Sequence, residues 1–149
     1  MKQQSIQELL SGKNLLQEVT LFGWVKTFRS NRFIALNDGS TLNNIQCVVN
    51  FEDFEDQLLK QISTGAALKI TGTLVESQGK GQSVEVQVKN VVILGAADPE
   101  TYPIQPKKHS LEFLREKAHL RIRTNTFSAV MRVRSALSFA IHQYFRQNG

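Results

Sequence analysis

The chain has 149 residues, 41% of them hydrophobic and 21% charged, with a formal net charge of +5 and one cysteine. This composition fits a globular protein with one real core and excludes a disulfide scaffold. No apolar run approaches the ~20 residues that a membrane-spanning helix requires. The charge is unevenly placed. Residues 1–100 hold nine Lys or Arg against eleven Asp or Glu, a balance of −2, whereas residues 101–149 hold nine against two, a balance of +7. A basic tail of this kind is equally a nucleic-acid-touching segment or the solvated face of a helix.

In chain order, Ser5-Ile6-Gln7-Glu8 has the capping-box spacing, a hydroxyl for the amide three residues on and a carboxylate to reach back. A short helix is predicted there, stopping at Ser11-Gly12. MKQQSIQELL has no apolar stretch behind its lysine, so no signal peptide is expected and the protein should be cytoplasmic. Val19–Phe28, rich in β-branched and aromatic residues, predicts a first strand. Phe33–Asn37 and Ile45–Asn50 follow, separated by the turn-forming Asp38-Gly39-Ser40. With a period of two, Ile34 and Leu36 share one face of the second strand and Phe33, Ala35 and Asn37 the other. In the third, Ile45, Cys47 and Val49 oppose Gln46, Val48 and Asn50. The apolar sets go inward, which leaves the ring of Phe33 and the amide of Gln46 outside. Cys47 is then a small inward-facing apolar residue.

In FEDFEDQLLKQI, Phe54, Leu58 and Ile62 recur every four residues, predicting a helix with acidic residues in its first turn. Ala67–Val75 puts Leu68, Ile70 and Leu74 on one face of a fourth strand. Val84–Val88 turns its valines inward and Glu85, Gln87 and Lys89 outward, with Gln78–Gln82 as the intervening hairpin. Far along the chain, Thr124-Asn125-Thr126 can cap a long helix ending at Asn148-Gly149. Its stripe is Val130, Val133, Leu137, Ala140, Ile141 and Tyr144, with Arg132, Arg134 and Arg146 mostly away from it.

Three strands, a helix and two more strands is the order of the OB-fold. The expected class is therefore mainly β. A five-stranded OB-fold barrel would occupy residues 1–98, with a short N-terminal helix and a helix between strands three and four; a hinge over 99–109 and a helical C-terminal segment over 110–149 would follow. The outer face over strands two and three of such barrels binds oligonucleotides. There Phe33 can stack under an unpaired base and Gln46 can read a base edge. Lys26, Arg29 and Arg32, with no acid among them, would supply phosphate partners. The competing reading is that a loop or the N-terminal helix covers Phe33. His109, His119 and His142 lack metal-ligand spacing, Gly79-Lys80-Gly81 is no P-loop, and no Ser or Cys sits in a nucleophile motif. No catalytic residue, metal or cofactor is expected within the chain.

The stretches VTLFGWVKTFRSNRFIALNDGS and NIQCVVN resemble the anticodon-binding OB domain of the class IIb aminoacyl-tRNA synthetases, the aspartyl, asparaginyl and lysyl enzymes. The tail YPIQPKKHSLEFLREKAHLRIRTNTF is similar to the hinge and opening of the catalytic domain in the asparaginyl members, where HSxEFLRExAHLRxRTNTF is distinctive. The chain departs from the pattern at Ile122, where a proline is usual, and at Val48, where aspartyl members carry a second aromatic. The resemblance implies that Phe33 is the platform under the anticodon and Gln46 the amide reading the middle uridine. It further implies that Arg29 contacts an anticodon base or the backbone and that Glu85 meets the first-position guanine. Strand parity independently supports all but Arg29, and a carboxylate suits the N1 and N2 donors of guanine. The long C-terminal helix would be that of motif 1, part of a homodimer interface. The rest of motif 1, with motifs 2 and 3, would lie beyond Gly149. The complete enzyme would use ATP and Mg²⁺ to activate asparagine and charge tRNA-Asn, while these 149 residues alone should be inactive. The alternatives are the same portion of an aspartyl or lysyl enzyme, and a stand-alone single-strand-binding module.

Overall fold

A computed structural model describes residues 4–79 and 81–149. Residues 1–3, which open the segment read for a leader, and Lys80, the centre of the predicted hairpin, lie outside the described residues. The chain divides into two compact units, Met1–Pro106 and Lys107–Gly149.

The first unit is built on five strands, β1 (Glu18–Arg29), β2 (Phe33–Asn37), β3 (Ile45–Val48), β4 (Ala67–Glu76) and β5 (Val84–Gly95), closed into a barrel in the order β1-β2-β3-β5-β4. β3 and β5 pair in parallel, and every other neighbouring pair is antiparallel. Closure removes the unpaired strand edges that a flat five-stranded sheet would expose. The inward residues are those that the alternation predicts, among them Ile34, Leu36, Ile45, Cys47, Ile70 and Val86, all fully buried. Burial pushes the Cys47 thiol strongly up, so it stays protonated and packs as a small apolar group.

Two of the three irregularities in strand register, those at Lys26 and Lys89, reset the alternation near the site. In β1 the register passes from Val25↔Leu36 to Thr27↔Ala35, making Lys26 the extra residue of a β-bulge. Inward-facing Val19, Leu21 and Val25 therefore give way to Phe28, which packs against the core, and Arg29 turns outward. In β5 the register skips Lys89, so the inward set passes from Val84, Val86 and Val88 to Val91 and the strand continues well past the predicted Val88. Gly72 faces this second bulge. A Cβ there would run into the carbonyl oxygen of Gln87, so only glycine permits the approach.

The short helix α1 (Ile6–Leu9) has the complete capping box, with Ser5 Oγ accepting from Glu8 N at 3.2 Å and Glu8 Oε2 accepting from Ser5 N at 2.9 Å. The loop after β2 satisfies its other free amides, Asp38 Oδ2 accepting from Ile6 N at 2.8 Å and Ser40 Oγ from Gln7 N at 3.0 Å. Asn37 departs from the outward position predicted for it and is 6% exposed. Its amide donates to Thr41 O, Asn43 O and Asn44 Oδ1 at 3.0–3.2 Å and its carbonyl accepts from Gly39 N at 2.8 Å. A buried amide is tolerated because the loop supplies it with these partners.

The helix expected across FEDFEDQLLKQI is interrupted. A 3-10 turn covers Phe51–Asp53, Phe54 is extended at φ −132° and ψ 146°, and α2 spans only Asp56–Gln61. The break lets Phe54 and Leu58 pack against the core while Leu59 and Ile62 are buried in it. Six residues make too short a helix to persist on propensity, so core contact decides its limits. After β5, Ile104 is buried, and Tyr102 lies where a Cβ on Gly65 would come within 2.6 Å of its ring.

The second unit contains α3 (Leu111–Glu116), capped by Ser110, a 3-10 turn over Arg121–Arg123, and α4 (Asn125–Asn148), capped by Thr124 accepting from Phe127 N at 3.4 Å. Ile122 is in the turn. Along α4 the predicted stripe residues Val130, Val133, Leu137, Ile141 and Tyr144 are exposed, and so are Phe139 and Phe145 outside it.

Gly72→Ala should lower the stability of the chain by about 1 to 3 kcal/mol, the usual cost of overpacking. Urea denaturation of the two proteins measures it, and an unchanged midpoint would show that the bulge relaxes freely.

Candidate nucleic-acid interface

The bulge at Lys26 and the strand registers place two neighbouring rows of side chains on the outside of the barrel. One row is Thr27, Ala35, Gln46 and Glu85 from β1, β2, β3 and β5; the next is Arg29, Phe33, Val48 and Gln87. Members of the two rows are two residues apart along each strand, so the rows are separated by roughly 6 to 7 Å. That is a surface on which a stacked base and a neighbouring base can be met by different rows.

Gln46 and Glu85, 39 positions apart in sequence, are partners in the parallel β3–β5 ladder, and Gln46 Nε2 donates to Glu85 Oε2 at 3.2 Å. The β4–β5 connection contributes two further donors to the same oxygen, Ser77 Oγ at 2.9 Å and Gln82 Nε2 at 3.3 Å. Beside this network opens a cleft of about 460 Å³, lined among others by Arg29, Ala35, Asn44, Gln46 and Gln82. Ala35 keeps the floor low next to Gln46. The cleft therefore offers amide donors and acceptors and one guanidinium at its margin, a set suited to the polar edges of a base.

Phe33 is partly exposed on the adjoining row and is not among the residues packed on the core. The Arg32 guanidinium lies over it, 5.5 Å from the ring centroid. Arg32 thus forms a cation–π pair with the ring, a role that the reading of it as a phosphate partner did not include. Ser30 and Asn31 both have positive φ, 54° and 48°, and Arg32 N donates to Arg29 O at 3.0 Å. This tight turn brings Arg29 and Arg32 together at the end of the β1–β2 hairpin. Arg29, whose alternation alone pointed inward, is exposed and pairs with Phe33 across the strands because of the bulge. Lys26 is the bulge residue itself and does not line the cleft.

Sequence reasoning missed Ser77, Gln82 and the loop residues Asn43 and Asn44. The first two flank a hairpin and carry no alternation signal, because their role depends on the closure that brings β5 beside β3. Among the described residues no group of three or more His, Cys, Asp or Glu could hold a metal ion, and no helix is long and apolar enough to cross a membrane.

A closed five-stranded barrel with an outward aromatic and outward polar groups on adjacent rows is the architecture of an oligonucleotide-binding OB-fold. Residues 19–94 match the tRNA anti-codon family, described as an OB-fold nucleic acid binding domain, and the chain belongs to that family. It is 53% identical to the asparagine–tRNA ligase of Cytophaga hutchinsonii over all of this chain and 33% of that protein. It is 52% identical to the asparagine–tRNA ligase of Borreliella afzelii over 97% of this chain and 32% of that one. Among solved structures, asparaginyl-tRNA synthetase of Entamoeba histolytica in complex with asparaginyl-adenylate superposes with a TM-score of 0.76 at 27% identity, over 89% of this chain and 33% of that chain. The chain spans about a third of the length of the curated relatives it matches.

Phe33→Ala should weaken binding of a single-stranded RNA loop by about 1 to 3 kcal/mol, the worth of one base–aromatic stack, with little change in melting temperature. Fluorescence anisotropy and thermal melts of the same samples check both parts; a large drop in melting temperature with unchanged affinity would make Phe33 a core residue.

Proposed function

We propose that this chain is the anticodon-recognising portion of an asparagine–tRNA ligase and that its partner is tRNA-Asn. The observation that carries the reading is the Gln46–Glu85 pair on one row of the barrel with Phe33 and Arg29 on the next. In this reading Phe33 stacks under an anticodon base and Gln46 offers its amide to the middle uridine. Glu85 accepts from the Watson–Crick edge of the first-position guanine, and Arg29, Arg32 and Lys26 hold the backbone. Single-stranded loops suit such a site because their unstacked bases expose edges that a duplex hides.

The domain plan that goes with this function is an anticodon-binding barrel over residues 1–98, a hinge over 99–109 and the opening of a class II catalytic domain over 110–149. The longer protein would activate asparagine with ATP and Mg²⁺ in the cytoplasm, as a homodimer. The exposed apolar side chains of α4, Val133 and Leu137 among them, support a dimer-forming role for that helix in the longer protein.

Gln46→Ala should reduce discrimination between a GUU loop and loops altered at the middle base by about 1 to 3 kcal/mol, the loss expected when a paired polar edge is left without its partner. Lys26→Ala should weaken all loops alike and lower the slope of affinity against salt. Titrating both variants against matched and altered loops at two salt concentrations decides the matter. Equal losses on every loop from Gln46→Ala would reduce the site to a sequence-indifferent single-strand binder.

A further inference from the structure

The hydrogen bonds around Glu85 are lopsided. All three donors that reach it, Gln46 Nε2, Ser77 Oγ and Gln82 Nε2, converge on Oε2 at 3.2, 2.9 and 3.3 Å. Among the described residues Oε1 accepts none. Ser77 and Gln82 also bond to each other, Gln82 Nε2 donating to Ser77 Oγ at 3.0 Å, and Gly79 N donates to Ser77 Oγ at 3.1 Å. The connection between β4 and β5 is pinned across its base by Ser77 N donating to Ser83 O at 3.0 Å. Ser77 is therefore fixed by its own backbone, by Gly79 and by Gln82, and its hydroxyl proton is committed to the carboxylate.

We propose that Ser77 and Gln82 are specificity-determining positioning residues that hold Glu85 by Oε2 so that Oε1 is presented to the base. The inference rests on the reading of Glu85 as the acceptor for the first anticodon base. Its physical content is the division of labour among the three donors. Of the three donors Gln46 is the one also offered to a neighbouring base, so its bond to Glu85, 3.2 Å long, is the one that base reading would lengthen or break. A carboxylate held by Gln46 alone would then be free to rotate, and a rotating acceptor discriminates poorly because its orientation has to be fixed anew on binding. Ser77 and Gln82 remain attached when Gln46 leaves. They keep the carboxyl plane fixed, and departure of Gln46 relieves the crowding of three donors on an oxygen with two lone pairs. Reading of the middle base thereby strengthens the two bonds that Ser77 and Gln82 keep to Oε2, and so couples the two adjacent positions through the orientation of the carboxylate.

The test uses this chain and RNA stem-loops with GUU, AUU and inosine-UU anticodons, inosine lacking only the N2 amino donor of guanine. Ser77→Ala should reduce the preference for GUU over AUU by about fivefold, the effect of one well-placed hydrogen bond, and leave discrimination at the middle base within twofold of the unsubstituted chain. Ser77→Thr, which keeps the hydroxyl, should restore the preference, and Gln82→Ala should resemble Ser77→Ala. In a Glu85→Gln background, Ser77→Ala should have no further effect on first-base preference, because it acts only through the carboxylate. The inosine loop should lose its disadvantage against guanine in both Ser77→Ala and Glu85→Gln. Equal weakening of all loops by Ser77→Ala, or additive effects of Ser77→Ala and Glu85→Gln, would overturn the positioning role. First-base preference unaltered in Glu85→Gln would overturn the assignment of Glu85, and the inference with it. If Glu85→Gln abolishes the preference while Ser77→Ala and Gln82→Ala retain it, the base-reading assignment stands and the positioning role alone falls.

Discussion

Because β3 and β5 run parallel and in register from Gln46↔Glu85 to Val48↔Gln87, the last strand of the first unit closes a barrel instead of extending a sheet. The Gln46–Glu85 half of the candidate interface follows from that contact. It sets an amide and a carboxylate from distant parts of the chain within hydrogen-bond distance, and it draws the β4–β5 connection over them. Parallel pairing of β3 with β5 cannot be made by a local turn. Here the intervening chain makes it possible, with α2 and the long antiparallel β4–β5 hairpin carrying the backbone around the barrel.

For the outer face to serve as a reader, the barrel beneath it has to hold it still. Fully buried Ile34, Leu36, Ile45 and Cys47 fix β2 and β3 from inside, so Phe33 and Gln46 are displayed from strands with little freedom to shift. The loop between β2 and β3 is no looser. Asn37 ties it from below and the amides of α1 tie Asp38 and Ser40 from the side. A short helix and a buried amide thus stabilise one margin of the cleft. On the opposite margin Ser77 and Gln82 do the same for Glu85. Binding then orders few protein groups, and a few local contacts can carry discrimination without a large attractive charge.

Charge is consistent with that economy. The residues of the barrel carry a slight excess of acid, so long-range attraction for a polyanion is not its main resource. The three basic residues on or beside the first hairpin are placed locally instead. Arg29 and Arg32 are gathered by a tight turn with two positive-φ residues, and Arg32 is spent partly on the ring of Phe33. The cation keeps that aromatic from being a bare apolar patch while leaving it available for stacking.

The amino-acid sequence determined the strands, the capping box of α1 and the cap of α4, because each is encoded by residues a few positions apart. It also determined which sides of β2, β3 and β5 face the core, so Phe33, Gln46 and Glu85 could be picked out as outward residues before any coordinates. What it did not hold was any signal for the bulges at Lys26 and Lys89, which depend on which backbone lies opposite. The outward turn of Arg29, the length of β5 and the need for Gly72 were decided by those bulges alone. The break at Phe54 and the burial of Asn37 were likewise tertiary decisions, one made by the core and the other by a loop able to satisfy an amide. Ser77 and Gln82 could not have been distinguished from other hairpin polar residues, since their partner reaches them only when the barrel closes.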